Sequence, residues 1–227
     1  MEKLFAALVN FKQELRPSLS PLFQNLAHAQ APEVLMFACC DSRVVPHLIV
    51  TSEPGELFEA RSIGNIVAPA NASGVSQGDV SEASAIEYAV EVLNIRDIAV
   101  CGHSNCGAMA ALHKGREHYA ALPNLRAWLE HGEPALERVK TMTFKTALNE
   151  NDRLSQANVL TQLDHVATYE PVRKRLRQGE LRLHGLWFDI GHAMVHLYEA
   201  EQAAFVALDE AELSRLLTPG GTPAISR

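Results

Sequence analysis

With 227 residues, 47% hydrophobic and 21% charged, the chain can bury a sizeable core, and one domain over residues 1–217 is the simplest division. A formal net charge of −7 argues against a nucleic-acid groove or an anionic membrane surface as partner, and no apolar run is long enough to span a bilayer. Four cysteines crowded into two short segments suit a metal or catalytic set better than a disulfide framework.

At the N-terminus, Leu4, Leu8, Phe11 and Leu15 recur at helical spacing, with Phe5 and Val9 widening the stripe. This predicts an amphipathic helical arm stopped by Pro17, packed either on its own domain or on a second subunit, with another short helix over Ser20 to Ala29. Glu2, Lys12 and Glu14 interrupt the apolar pattern of a signal peptide, so a cytoplasmic location is expected. The run Val34 to Ala38 (VLMFA) reads as a buried strand leaving through Cys39, Cys40, Asp41, Ser42 and Arg43. That exit places a soft metal ligand, a carboxylate and a guanidinium at one strand end, where sites gather in open parallel sheets.

A short helix follows over Val44 to Val50, then a strand over Leu57 to Arg61 and a small polar loop over Ala68 to Gly78. Ser81 to Asn94 is a clear helix, and Asp97 to Cys101 (DIAVC) is a third strand. Strand, helix and strand in this order predict a parallel βαβ unit with a right-handed crossover. Just beyond lie His103 and Cys106, which would share a face if a helix begins there. Cys39, His103 and Cys106 together offer two thiolates and one imidazole, the donor set of a three-ligand zinc site with one open position, provided the first and third strands are neighbours. The competing reading is a structural or redox thiol group. Cys40 and Cys101 are expected as buried thiols rather than ligands.

The pair Cys39-Cys40-Asp41-Ser42-Arg43 and His103-Ser104-Asn105-Cys106-Gly107 resembles the signature of the β-class carbonic anhydrases. The likeness extends through Pro54-Gly55-Glu56-Leu57-Phe58, Arg61, Gly64-Asn65 and Ile86-Glu87-Tyr88-Ala89-Val90, in order over roughly residues 20 to 190. It implies an α/β fold with a mainly parallel sheet (about four parallel strands plus an antiparallel edge strand) flanked by helices. It also implies one Zn²⁺ per chain on Cys39, His103 and Cys106, and reversible hydration of CO2 to bicarbonate and a proton by a zinc-bound hydroxide. Asp41 and Arg43 match the family's carboxylate–guanidinium pair. Gln30, Phe58, Ile63, Tyr88 and the backbone N–H of Gly107 match its substrate-binding positions.

The resemblance further implies a site at a subunit interface, hence a homodimer or tetramer. Members regulated by bicarbonate carry a tryptophan three residues before the first cysteine; Met36 stands there, which points to an open site with Asp41 held on Arg43. Rival readings are a hydrolase of carbonyl sulfide or carbon disulfide and a non-catalytic zinc or thiol-switch protein. A helix over Asn151 to Tyr169 and two strands turned at Gly191 read as scaffold, and residues 218–227 as a flexible tail. His192 and His196 are expected to share a strand too far apart to chelate.

Overall fold

The computed structural model describes residues 1–50 and 52–216; the expected tail at 218–227 lies outside them. The chain opens with helix α1 (Glu2–Asn10), a π-helical segment (Phe11–Leu15) and helix α2 (Arg16–Leu26), which run on without a break. Pro17 therefore does not stop the arm. The Arg16 N–H donates to the Phe11 carbonyl, so the ladder has already widened when Pro17 enters the first turn of α2, where a missing N–H costs little. None of the arm's residues is buried, and Leu4, Phe5, Leu8, Phe11 and Leu15 are all exposed. The apolar stripe is thus not packed on its own chain.

Strands β1 (Val34–Cys39), β2 (Leu57–Ser62), β3 (Asp97–His103), β4 (Arg182–Asp189), β5 (Met194–Glu199) and β6 (Ala204–Ala207) form one sheet in the order β2-β1-β3-β4-β5-β6. The first four are parallel, and β5 and β6 add antiparallel strands at one side. The mainly parallel α/β sheet matches the expectation, with β6 as a further strand. Its four residues, AFVA, are too few to show a period, and pairing with β5 is what makes them a strand.

Because side chains alternate along a strand, the central strands feed two layers. Leu35, Phe37, Ile98, Val100, Leu183 and Trp187 enter one core with Val159, Leu160, Leu163 and Val166 of helix α8 (Glu150–Val166). Met36, Ala38, Ala99 and Cys101 face the opposite side with Val44. Both faces of β1 and β3 are covered, which is why these strands read as continuous apolar runs. Helices α3 (Pro46–Ile49), α4 (Val80–Glu87, extended by a π-helical segment over Tyr88–Val92), α5 (Gly107–Lys114), α6 (Pro123–Glu130), α7 (Pro134–Arg138), α9 (Glu170–Gln178) and α10 (Glu210–Leu216) complete the chain.

Gly102 sets how closely α8 approaches β3. A Cβ there would lie 2.6 Å from Val159 Cγ2 and 3.3 Å from the Ser155 carbonyl oxygen. Gly102→Ala is expected to push α8 outward and cost about 1–3 kcal/mol, since overpacking forces backbone shifts. Thermal unfolding checks this: a melting temperature unchanged from wild type would show that the helix yields freely.

Candidate metal centre

The three candidate ligands come from the carboxyl ends of neighbouring strands. Cys39 ends β1, His103 ends β3, and Cys106 is the residue that caps α5. Pairing of β1 with β3 confirms the adjacency on which the site depends. His103 and Cys106 do not share a helix face. They converge across the turn Ser104-Asn105, where Asn105 adopts a left-handed backbone (φ 54°) that asparagine tolerates well. Ligand atoms of Cys39, His103 and Cys106 all lie within 4.8 Å of one another, and all three residues are buried.

The state of these atoms tests whether a metal suits them. His103 Nδ1 lies 2.9 Å from the Ser104 carbonyl oxygen, a contact that makes Nδ1 the N–H donor and leaves the lone pair on Nε2. That Nε2 is buried with no hydrogen-bond partner. Cys106 donates to Cys39 Sγ, which lowers the Cys39 thiol against the opposing effect of burial. Cys106, which keeps the shared proton, is pushed up. A buried imidazole lone pair aimed at a thiolate–thiol pair is a donor set that a soft divalent cation satisfies.

Around this trio the chain builds a charged frame. Arg43 Nε donates to Asp41 Oδ1 at 2.9 Å and Nη2 to Oδ2 at 2.7 Å, and the Arg43 backbone N–H also donates to Oδ1. These bonds hold the Asp41 carboxyl well below the usual carboxylate range, Arg43's side chain contributing most. Asp41 Oδ2 lies 3.9 Å from His103 Nε2, so the carboxylate faces the ligand cluster. Met36 is buried in β1, and Asp41 rests on Arg43.

Arg61, matched in sequence but assigned no role there, clamps the loop after β1. Its guanidinium donates to the carbonyl oxygens of Cys39, Asp41 and Val44 at 2.7–3.1 Å. Helix α8, read as scaffold, reaches the site too: Asn151, Asp152 and Ser155 bond to the backbone of residues 103–106. The signal was present. Buried Asp152, Ser155, Gln156, Asn158, Thr161 and Gln162 interleave with Leu154, Val159 and Leu163, a polar content unusual in a core helix.

The substrate-position residues divide. Ile63 follows Ser62, whose register partner is Cys39, and lines a cleft of about 540 Å³ with Cys40, Arg61 and Trp128. Gly107 opens α5 beside Cys106 and is exposed. Phe58 pairs with Leu35, four residues before that end of β2, or roughly 13 Å along the strand. Its ring stacks on half-exposed Tyr88 with centroids 6.0 Å apart. Gln30 is exposed on the connection between α2 and β1. One chain therefore gathers Ile63 and Gly107 near the ligands but leaves Phe58, Tyr88 and Gln30 elsewhere.

Two cysteine readings are resolved. Cys101 is buried in the sheet and its thiol is pushed up to about 12 by that burial, a core residue as expected. Cys40 is exposed rather than buried: its N–H bonds to the Ser62 carbonyl, and its side chain lies along the cleft. Strand alternation alone sends it away from Cys39. His192 and His196 do not share a strand; His192 sits in the β4–β5 turn on Asp189, while His196 is buried against Trp187.

Comparison with known proteins agrees with this geometry. A family model described as carbonic anhydrase matches residues 34–195. The chain is 39% identical to a carbonic anhydrase of Pseudomonas aeruginosa over 98% of both sequences. Its fold superposes on the solved β-carbonic anhydrase CcaA with a TM-score of 0.82 and 37% identity, covering 92% of each chain. The chain belongs to the β-class carbonic anhydrases. A second solved relative, one of two tetrameric β-carbonic anhydrases of Sordaria macrospora, gives a TM-score of 0.71 at 29% identity, covering 87% of this chain and 97% of that one. The match runs from β1 through β4 to the first two residues of β5 and so includes every candidate ligand of this β-carbonic anhydrase.

Proposed function

We propose that the chain hydrates CO2 reversibly to bicarbonate and a proton at a centre where Cys39, His103 and Cys106 hold one zinc ion. The orphaned, buried Nε2 of His103 facing two cysteine sulfurs carries this reading. When bound, zinc supplies Lewis acidity and lowers the pKa of a coordinated water. Everything else is the work of the chain's own residues.

Asp41 stays ionised through the working range because Arg43 holds it, so it is an acceptor only. It can take a hydrogen bond from the attacking water and orient its lone pair toward carbon. The Gly107 N–H, at the start of the eight-residue α5, belongs to a position where even an added Cβ would meet nothing within 4 Å, and it lies where a helix favours anions, so it suits a bicarbonate oxygen. Ile63 provides apolar wall. Gln30, Phe58 and Tyr88 would join from a second copy, which the exposed apolar arm also favours. Sedimentation at micromolar concentration is expected to show a dimer or larger; a fully active 24.9 kDa monomer would defeat this part of the proposal. Among the described residues no helix is long and apolar enough to cross a membrane, and reduced thiols at the centre suit the cytoplasm.

The pH dependence follows from charge. Two thiolates and a neutral imidazole cancel the formal charge of a divalent ion, so they acidify water less than the three-histidine case at about 7. Asp41 is already ionised and does not titrate in this range, and its negative charge opposes deprotonation nearby. Hydration kcat/KM should therefore rise from pH 6 to 9.5, and bicarbonate dehydration should fall. Stopped-flow assays with metal content measured at both ends test this. A flat profile at full occupancy would exclude the proposed mechanism.

A further inference from the structure

Between His103 and Cys106 the backbone is held by three side chains of α8. Ser155 Oγ donates to the His103 carbonyl at 2.8 Å, and Asn151 Nδ2 to the Cys106 carbonyl at 3.2 Å. Asp152 Oδ1 accepts the Asn105 N–H at 2.6 Å. The carbonyl of the same Asn105 accepts from Arg43 Nη2 at 3.2 Å. One left-handed residue is thus gripped through its N–H by a buried carboxylate and through its C=O by the guanidinium that holds Asp41.

Asp152 is itself fixed. Asn149 Nδ2 donates to its Oδ2 at 2.8 Å, while Asn149 Oδ1 accepts the Asp152 N–H at 2.9 Å. This reciprocal cap locks the carboxylate's direction before any ligand arrives. A carboxylate on a backbone N–H is also stronger than a neutral acceptor. We propose that Asp152 is a positioning residue for the metal centre: by holding Asn105 it sets the separation of His103 and Cys106 and the seat of Arg43. The inference rests on the reading of Cys39, His103 and Cys106 as ligands.

A purely structural role is the alternative, since an acid in the first turn of α8 also complements the helix dipole. Glu150 separates the two. It is an acid in the same turn, its side chain is largely exposed, and its ion-pair contact is with His113 rather than the 103–106 turn.

The test uses zinc-loaded wild type, Asp152→Ala, Asp152→Asn and Glu150→Gln. Zinc affinity is measured by chelator competition, the cobalt-substituted proteins are compared by visible absorption, and kcat and KM are separated. Asp152→Ala is expected to weaken zinc binding about 10- to 100-fold, shift the cobalt bands and lower kcat more than it raises KM. Asp152→Asn, which keeps a neutral acceptor, should recover most of this and remain about fivefold weak. Glu150→Gln should match wild type. If Asp152→Ala does not fold, the amide variant decides by itself. Affinity within twofold of wild type and an unshifted cobalt spectrum in the Asp152 variants would overturn the proposal, even with a lowered melting temperature. A wild-type protein that binds no zinc would overturn the ligand reading instead.

Discussion

Cys39→Ser, His103→Ala and Cys106→Ser should each lose the metal and leave CO2 hydration below about one-thousandth of wild type, because the centre supplies several kcal/mol of the barrier reduction. Each side chain contributes one donor to a cluster spanning no more than 4.8 Å, and no fourth histidine or cysteine stands in for a missing one among the described residues. Cys40→Ser and Cys101→Ser should keep both metal and activity. The first thiol faces the cleft, and the second is a neutral core group whose burial keeps it protonated. Metal analysis and stopped-flow hydration on the same preparations decide the matter. If Cys40→Ser emptied the site while Cys39→Ser did not, the ligand assignment would be displaced by one residue.

Arg43→Ala should lower kcat/KM about 100- to 1,000-fold while leaving zinc content near one per chain, in line with losing one preorganised polar group from an active site. Arg43 makes two side-chain bonds to Asp41 and one to Asn105. Without it the carboxylate is free to turn toward the ligand cluster, where its Oδ2 is already 3.9 Å from His103 Nε2. A carboxylate there would occupy the position that water and substrate need. Arg43→Lys should remain at least about tenfold impaired, since an ammonium cannot reproduce the forked pair. Activity within threefold of wild type in the alanine variant would mean that something else restrains Asp41.

Residue chemistry alone determined a good deal of this protein. The apolar runs at Val34–Ala38 and Asp97–Cys101 announced buried strands, which the structure extends to Cys39 and His103, because both faces of the sheet are covered. The helix between β2 and β3 made a right-handed crossover the expectation, but the β1–β3 pairing that joins Cys39 to His103 and Cys106 was left open and was decided by β1 lying between β2 and β3 in the sheet. The candidate ligand set was legible because few residue types bind a soft cation and they stood in two tight groups.

Other features were decided only in three dimensions. Whether Pro17 ends a helix depends on the hydrogen-bond register that reaches it, and a π-helical segment had already shifted that register. The four residues of β6 became a strand only by lying against β5. Cys39 and Cys40 are chemically identical neighbours, and the alternation at a strand end sends one into the centre and the other to the cleft. Gln30, Phe58 and Tyr88 stand in motif register yet away from the ligands, because motif register along a chain does not fix distance from the ligands in the fold. The polar face of α8 looked like scaffold because hydrogen bonds from Asn151, Asp152 and Ser155 to residues 103–106 span some fifty positions of sequence. Only the packing of α8 over Gly102 brings them within bonding distance.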